Sequence, residues 1–316
     1  MTKSTSNILL IRPANFGINP ETSGTNHFQK KMPFYTPNQI KKLAVEEFDN
    51  ATNILIDKGI NVFVFDDTNF PIKPDAVFPN NWITFHNDGT VILYPMLTPN
   101  RMSERRLDIV DSLKTRFNVT RIIDMYTSDI IRDKLSSENN LSLEGTGSIV
   151  FDHTNNLAFA CISKRTDKEL LLRLCNYINY EPIYFNAVDK KGNEIYHTNV
   201  MMCIAEKFCV ICLESIKNEN ERNFLLEKLM KTGHEIIDIS FEQMNKFAGN
   251  MLFLQSRSGP VMVLSVSSFN SLNSSQKNCI SRYCELVSLN LNVIETIGGG
   301  SARCMIAEIF LPELII

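Results

Sequence analysis

The sequence predicts an α/β fold built as a closed array of five strand–strand–helix–strand units. Three observations predict it. Stretches beginning near Asp75, Glu144, His197, Asn250 and Cys304 look like copies of one another, at gaps of 69, 53, 53 and 54 residues. A period of this size marks an array of one supersecondary unit. Each full copy opens on two short apolar runs around a polar turn, the pattern of a β-hairpin. The ends of the chain supply one unpaired strand each, at 7–12 and 305–310, and their pairing would close the ring and remove free sheet edges. Closure turns equivalent positions toward one axis, so side chains far apart in sequence can share a pocket.

In chain order, the strand at 7–12 is followed by a helix that starts at Thr36-Pro37-Asn38-Gln39, where a capping residue, a first-turn proline and a glutamine three residues on coincide. Gly59 stops it, and a strand follows at 62–65. The first hairpin flanks Asn87-Asp88-Gly89 with runs at 82–85 and 91–96, Asp-Gly being a strong turn signal. The next three hairpins pair 148–151 with 157–162, 200–205 with 208–213, and 251–254 with 261–266. Helices are predicted at 104–116, 167–179, 219–232 and 275–290, and closing strands at 120–123, 182–185, 235–239 and 293–296. Thr166-Asp167-Lys168-Glu169 and Asn273-Ser274-Ser275-Gln276 carry further cap signals. The segment 124–141, rich in Ser, Asn and charge, reads as a loop inserted between the first two copies.

Composition narrows the function. The chain has 316 residues, 44% hydrophobic, with net charge −3 and no basic block, which speaks against nucleic-acid binding. No apolar run approaches membrane-spanning length, and the four apolar residues after the N-terminal segment are too few for a signal peptide. The chain reads as one cytoplasmic domain covering 1–316. Its oligomeric state, a homo-oligomer included, stays open. Of eight cysteines, seven sit in apolar strands or helices as small core side chains. Cys209 and Cys212 have C-x-x-C spacing, but lie in a predicted strand with no second pair nearby, so metal or redox chemistry is not expected.

Cys304 differs. It follows Gly298-Gly299-Gly300-Ser301-Ala302-Arg303, and a glycine run lets the backbone approach a ligand. A cation beside it, Arg303 or a bound substrate, would lower the thiol pKa and make it a nucleophile. His197, at the equivalent place in the third copy, is the natural acid–base partner. Glu144 opens the second copy and is suited to orient the imidazole or bind substrate N–H groups. Asp75 opens the first, in a loop with Asn80, Asn81 and the single tryptophan, Trp82. His86, His153 and His234 are weaker candidates, and His27 lies in an N-terminal loop.

The Gly-Gly-Gly-x-x-x-Cys ending, the Glu144-Gly145 and His197-Thr198-Asn199 segments, and Ser163-Lys164-Arg165-Thr166-Asp167 resemble the pentein superfamily of guanidino-group-modifying enzymes. So do Arg12-Pro13, Asn19, Glu21-Thr22, Asn26, Phe28-Gln29 and the stretch Asp-Ala-Val-Phe-Pro-Asn-Asn-Trp at 75–82. Within the superfamily the pattern most resembles the citrulline-utilisation hydrolases. The resemblance spans nearly the whole chain and implies a five-bladed α/β propeller. It implies Cys304 as nucleophile on a guanidino or ureido carbon, His197 as proton carrier and Glu144 as its support. Asp75 would bind substrate nitrogens with Asn80 and Asn81, and Arg165, with Arg101 as second candidate, would grip the α-carboxylate.

One position departs. Arginine deiminases carry aspartate two residues after the histidine, and Asn199 stands here. A carboxamide keeps donors and acceptors but loses the charge, which favours neutral citrulline over arginine. The sequence therefore predicts a hydrolase converting citrulline to ornithine, ammonia and carbon dioxide, without metal or organic cofactor. Alternatives are an arginine deiminase or dimethylarginine dimethylaminohydrolase, an amidinotransferase, and a non-catalytic binding protein of the same fold. The 13–35 loop, with Asn19, Glu21, Asn26 and Gln29, is a candidate cover for the substrate.

Overall fold

The computed structural model describes residues 4–127 and 141–314, so most of the predicted insert at 124–141 lies outside the described residues. Strand β1 (Asn7–Arg12) leads through an N-terminal loop into α1 (Pro37–Asp57). The predicted capping box forms between Thr36 and Gln39, and Gly59 takes the left-handed φ of 79° that the stop requires. Ile40, Ala44, Phe48, Ala51 and Leu55 make one buried stripe along α1, the helical spacing of an apolar face. β2 (Asn61–Asp66) then pairs parallel with β1, from Asn7 opposite Asn61 to Arg12 opposite Asp66.

The remaining units repeat this plan after a hairpin. β3 (Ile83–Phe85) and β4 (Thr90–Leu93) are antiparallel; α2 (Leu107–Leu113) crosses over, and β5 (Arg121–Asp124) returns parallel to β4. β6 (Val150–Asp152), β7 (Leu157–Cys161), α3 (Lys168–Ile178) and β8 (Glu181–Phe185) form the next unit. β9 (Met202–Ile204), β10 (Phe208–Ile211), α4 (Glu219–Lys231) and β11 (Glu235–Asp238) follow. β12 (Leu252–Ser256), β13 (Gly259–Ser265), α5 (Ser274–Ser281) and β14 (Glu285–Leu289) come last. Asp167, Asn218 and Asn273 cap α3, α4 and α5 with their side chains. The terminal strand β15 (Ala307–Glu308) pairs antiparallel with β1, Ile8 opposite Glu308 and Leu9 opposite Ala307. The described residues thus form five three-stranded sheets, each with one antiparallel and one parallel pairing.

The middle strands are buried on both faces; in β1, β4, β7 and β13 alternate side chains serve different cores, while Phe208 to Ile211 of β10 all belong to one. Ile8 and Leu10 of β1 pack in a cluster with Leu254, Val263 and Leu289, while Leu9 and Ile11 pack with Ile83, Val91 and Leu93. Ile92 faces a third cluster with Ala158 and Ala160. Phe159 shares the fourth with Val210 and Met262. Each sheet therefore buries both faces against neighbouring sheets, as period-2 alternation requires.

Three expectations are corrected. The first three hairpins open later than predicted, because Ser148 belongs to a short helical turn at Gly145–Ser148, Val200 and Met201 to one at Thr198–Met201, and Trp82 caps one at Pro79–Asn81. The predicted helix at 275–290 ends at Ser281, the fifth closing strand is Glu285–Leu289, and 293–296 lies at the start of a wide helical turn, Ile294–Gly298. The alternating burial of Val287, Leu289 and Leu291 is the strand signal behind this difference. Pairing of the chain ends completes one three-stranded sheet, but among the described residues no sheet closes on itself, so each keeps two edge strands. Among the described residues, no helix is long and apolar enough to cross a membrane.

Candidate active site

The segments leading into the sheets bring Asp75, Glu144, His197, Asn250 and Cys304 into the interior, none more than 4% exposed. A cavity of about 260 Å³ is lined by Asp75, Asn81, Arg101, Arg165, His197 and Cys304, with Tyr196, Phe78 and the Gly298–Gly300 run completing its wall. A larger cavity of about 610 Å³ lies among Asp152, His153, Arg303 and Glu308. It touches Asn199 but contains neither Cys304 nor His197, so the predicted chemistry is gathered in the smaller one.

His197 Nε2 lies 2.8 Å from Glu144 Oε2. Burial alone would raise the Glu144 carboxyl, but Arg165, His197 and Arg101 hold it well below the usual carboxylate range. An ionised carboxylate only accepts, so Nε2 carries the proton and Nδ1 is left as the basic nitrogen. Burial lowers the His197 pKa to about 4, against Glu144, which favours the imidazolium. The imidazole is therefore neutral at pH 7.

Cys304 Sγ lies 3.3 Å from Asn250 Nδ2 and 3.5 Å from Asn199 Nδ2. Burial pushes its thiol up, and hydrogen bonding at Ser301 and Asn250, the Arg303 charge and Asn199 offset this only in part. The expected activation by Arg303 is met only in part: its charge favours the thiolate, but the guanidinium is committed to Ile306 O at 2.8 Å and Glu308 at 2.7 Å. The glycines are needed for packing: a Cβ at Gly298 or Gly300 would meet Phe78 at 3.0 Å or less.

Arg101 donates to Glu104 at 2.8 Å and to Asn81 Oδ1 at 2.9 Å, and lies 3.9 Å from both Asp75 and Glu144. Glu104 was not anticipated. Burial lifts it to about 7 while Arg101 opposes; a three-contact fork to the guanidinium keeps it paired. Arg165 lies 3.4 Å from Glu144, donates to Thr25 Oγ1 at 2.7 Å and stacks over the Tyr196 ring at 4.9 Å. Three acids thus face two guanidiniums. Asp75 Oδ2 accepts from Asn19 at 2.7 Å and Thr22 at 3.2 Å, while its Oδ1, though buried, has no partner.

The N-terminal loop covers this cavity. Asn26 and Gln29 both donate to Gly298 O at 3.2 Å, and Tyr196 donates to Gly299 O at 2.7 Å. Asn80 is fully buried outside the cavity lining; its backbone carbonyl receives Thr146 Oγ1 at 3.2 Å, and its side-chain Nδ2 and Oδ1 are buried without a partner. Asn199 lies against the thiol instead of in the lining of the smaller cavity. His27 is exposed, and His86, His153 and His234 bond to Thr84, Tyr180 and Ala205 O. Asn250 and Tyr196 were missed as site residues. Asn250 had a signal, its place at the start of the fourth repeat, but as a neutral side chain it did not read as chemistry.

A family described as N,N dimethylarginine dimethylhydrolase, eukaryotic, matches residues 12–311. No curated protein sequence matches the chain. Several solved structures share its fold. The substrate-bound N-terminal domain of ArgZ, an arginine dihydrolase from the ornithine-ammonia cycle in cyanobacteria, in a cysteine-to-serine mutant, aligns with a TM-score of 0.70 at 15% identity, over 98% of this chain and 99% of that one. A cysteine-to-alanine mutant of AgrE with L-arginine gives 0.71 at 16% identity, over 98% of this chain and 41% of that one. DDAH from Pseudomonas aeruginosa, a cysteine-to-serine mutant complexed with citrulline, gives 0.66 at 11% identity, over 97% and 100%. The chain belongs to the N,N-dimethylarginine dimethylhydrolase family, within the pentein superfamily of guanidino-modifying proteins.

Proposed function

We propose that this chain is a cysteine-dependent hydrolase of carbon–nitrogen bonds in a guanidino amino acid, arginine or an N-methylated arginine. The observation that carries the reading is the shared cavity of Cys304, His197 and Asp75, with one buried Asp75 oxygen unpartnered and three acids facing two guanidiniums. A cationic guanidinium supplies N–H donors for that oxygen and a positive charge beside the Asp75 carboxyl. The same cation favours ionisation of a thiol that burial otherwise holds protonated. Membership of a dimethylarginine dimethylhydrolase family supports it too.

In this reading Cys304 gives its proton to His197 Nδ1 and attacks the guanidino carbon, forming a C–S bond. His197 returns the proton to the leaving nitrogen as the C–N bond breaks, releasing ammonia or a methylated amine. Water then adds to the thio-adduct, losing a proton to His197. The C–S bond breaks and a ureido product leaves. Glu144 holds the imidazole, Asp75 the substrate nitrogens, and Arg165 or Arg101 the α-carboxylate. The five sheets are read as blades of one closed α/β propeller domain, which the cores shared between neighbouring sheets support.

Asn199 favours a second reading. A carboxamide beside the thiol suits a neutral ureido group, so citrulline would be the substrate, giving ornithine, ammonia and carbon dioxide. Product analysis of separate incubations with arginine, dimethylarginine and citrulline tests both. Citrulline and ammonia or dimethylamine from the first two, lost in Cys304→Ala, is the expected result. Ornithine from citrulline alone moves the assignment to the second reading, and turnover surviving in Cys304→Ala overturns the nucleophile in either.

A further inference from the structure

Asn250 occupies in the fourth repeat the place that Asp75, Glu144, His197 and Cys304 occupy in the others, and it is fully buried. Its approach to the site depends on Gly249. A Cβ there would stand 2.5 Å from Val200 O and 2.6 Å from the Met201 carbonyl carbon, so only glycine lets this segment lie against the Thr198–Met201 turn.

Two backbone groups fix the carboxamide's orientation. Oδ1 accepts from the Arg303 N–H at 3.1 Å, and Nδ2 donates to Asn199 O at 2.8 Å. Rotating the amide by a half-turn would set donor against donor and acceptor against acceptor. The second Nδ2 hydrogen is then left for Cys304 Sγ at 3.3 Å. A thiol in the same place has Asn250 Oδ1 as acceptor at the longer distance of 3.7 Å. Asn199 is less constrained: its Nδ2 is farther from the sulfur and its Oδ1 has no partner. The cation next to it in sequence, Arg303, is turned to Glu308 and Ile306 O.

We propose that Asn250 is the residue that tunes Cys304, a carboxamide locked by the backbone so that one N–H is reserved for the thiolate. The proposal rests on Cys304 being the nucleophile. Hydrogen bonds to an ionised, water-excluded acceptor are stronger than neutral ones, and this bond shares no competition from solvent. An uncharged donor eases ionisation without enforcing it, so the thiol stays protonated at rest and ionises when substrate supplies positive charge.

The test is the pH dependence of Cys304 alkylation by iodoacetamide, read site by site by mass spectrometry. Asn250→Ala is expected to move the midpoint upward by about one unit, slowing alkylation at neutral pH about tenfold. Asn250→Asp keeps an acceptor for Arg303 N–H but sets an anion on the sulfur, and is expected to slow it more. Asn199→Ala is expected to shift the midpoint less than Asn250→Ala does. An unchanged midpoint in folded Asn250 variants, or a larger shift from Asn199→Ala, overturns the proposal. If the Asn250 variants do not fold, the side-chain amide resonances of Asn250 in the unaltered protein decide. They should titrate with the alkylation midpoint and be flat in Cys304→Ala; amide signals that ignore the thiol titration overturn it. None of these readouts needs turnover. Activity persisting in Cys304→Ala would remove the nucleophile role on which the proposal rests, whereas unmoved midpoints with activity lost in Cys304→Ala would strike the Asn250 proposal and leave the functional reading standing.

Discussion

Glu144 is the residue at which the charges of the site meet. One carboxylate holds His197 at 2.8 Å, Arg165 at 3.4 Å and the Leu97 N–H at 3.0 Å. Its removal should cost more than one contact. Glu144→Gln is expected to lower kcat by about 100-fold or more, since the imidazole loses the group that fixes its tautomer. The pH profile gives a separate check. With the His197 pKa lowered to about 4, the imidazole stays an acceptor well below the usual histidine midpoint. In the unaltered enzyme kcat/KM should therefore hold from about pH 7 to about pH 5 and fall as His197 takes up its proton. Glu144 raises this pKa, so the acid limb should move lower still in Glu144→Gln; a limb centred near 6.5 in the unaltered enzyme would count against the assignment. At this scale the sequence was most legible where side chains are ionisable. Cys304, His197, Glu144, Asp75, Arg165 and Arg101 gather within one site. Asn250 was passed over, because a carboxamide announces neither charge nor nucleophilicity. Only the backbone groups around it decide its use.

Among the elements, the short helical turns matter more than their length implies. Gly145–Ser148 packs against both Thr198–Met201 and Pro79–Asn81, and the first two turns carry Glu144, His197 and Asn199 into the interior. A Cβ on Gly147 would lie 2.3 Å from Asn81 Nδ2 and 2.7 Å from His197 Cε1. Gly147→Ala should push the imidazole off Glu144, with a loss in kcat/KM of about 100-fold, the scale of a one-ångström misplacement. Full activity in a folded Gly147→Ala protein would show that the ring position is not critical. The regular elements were easier to read. The capping box at Thr36 and the caps at Asp167 and Asn273 are local chemistry, visible in four residues. The leading turns were read as strand because their apolar residues are buried whichever way the backbone coils. α5 was overextended because Glu285–Leu289 is too short to separate a period of two from a period of 3.6.

Over the whole molecule, stability and site share a framework. Thr5 Oγ1 donates to Ile309 O at 2.7 Å, and β15 edges β1. Ala307, Ile309 and Leu311 are buried in the cluster that also holds Trp82 and Phe85. Ending the chain after Ile306 should lower the free energy of unfolding by several kcal/mol, on the order of 3–5 from the lost apolar burial. It should also reduce activity, since Arg303 loses Glu308. An unchanged denaturation midpoint would show that β1 needs no such partner. Repeat period and orphan ends made the five-unit plan legible from the sequence, whereas the separateness of the sheets was not, because pairing partners within a unit and between units present the same apolar pattern.

The pairing of β1 with β15 also orders events in time. A strand made within the first dozen residues waits for one that lies some three hundred residues later, and contacts of such separation form late because the loop they close is long. Cys304 sits three residues before that last strand. The position of Cys304 is thus coupled to a contact between strands about three hundred residues apart, whereas Glu144 and His197 lead into hairpins whose strands are neighbours in sequence.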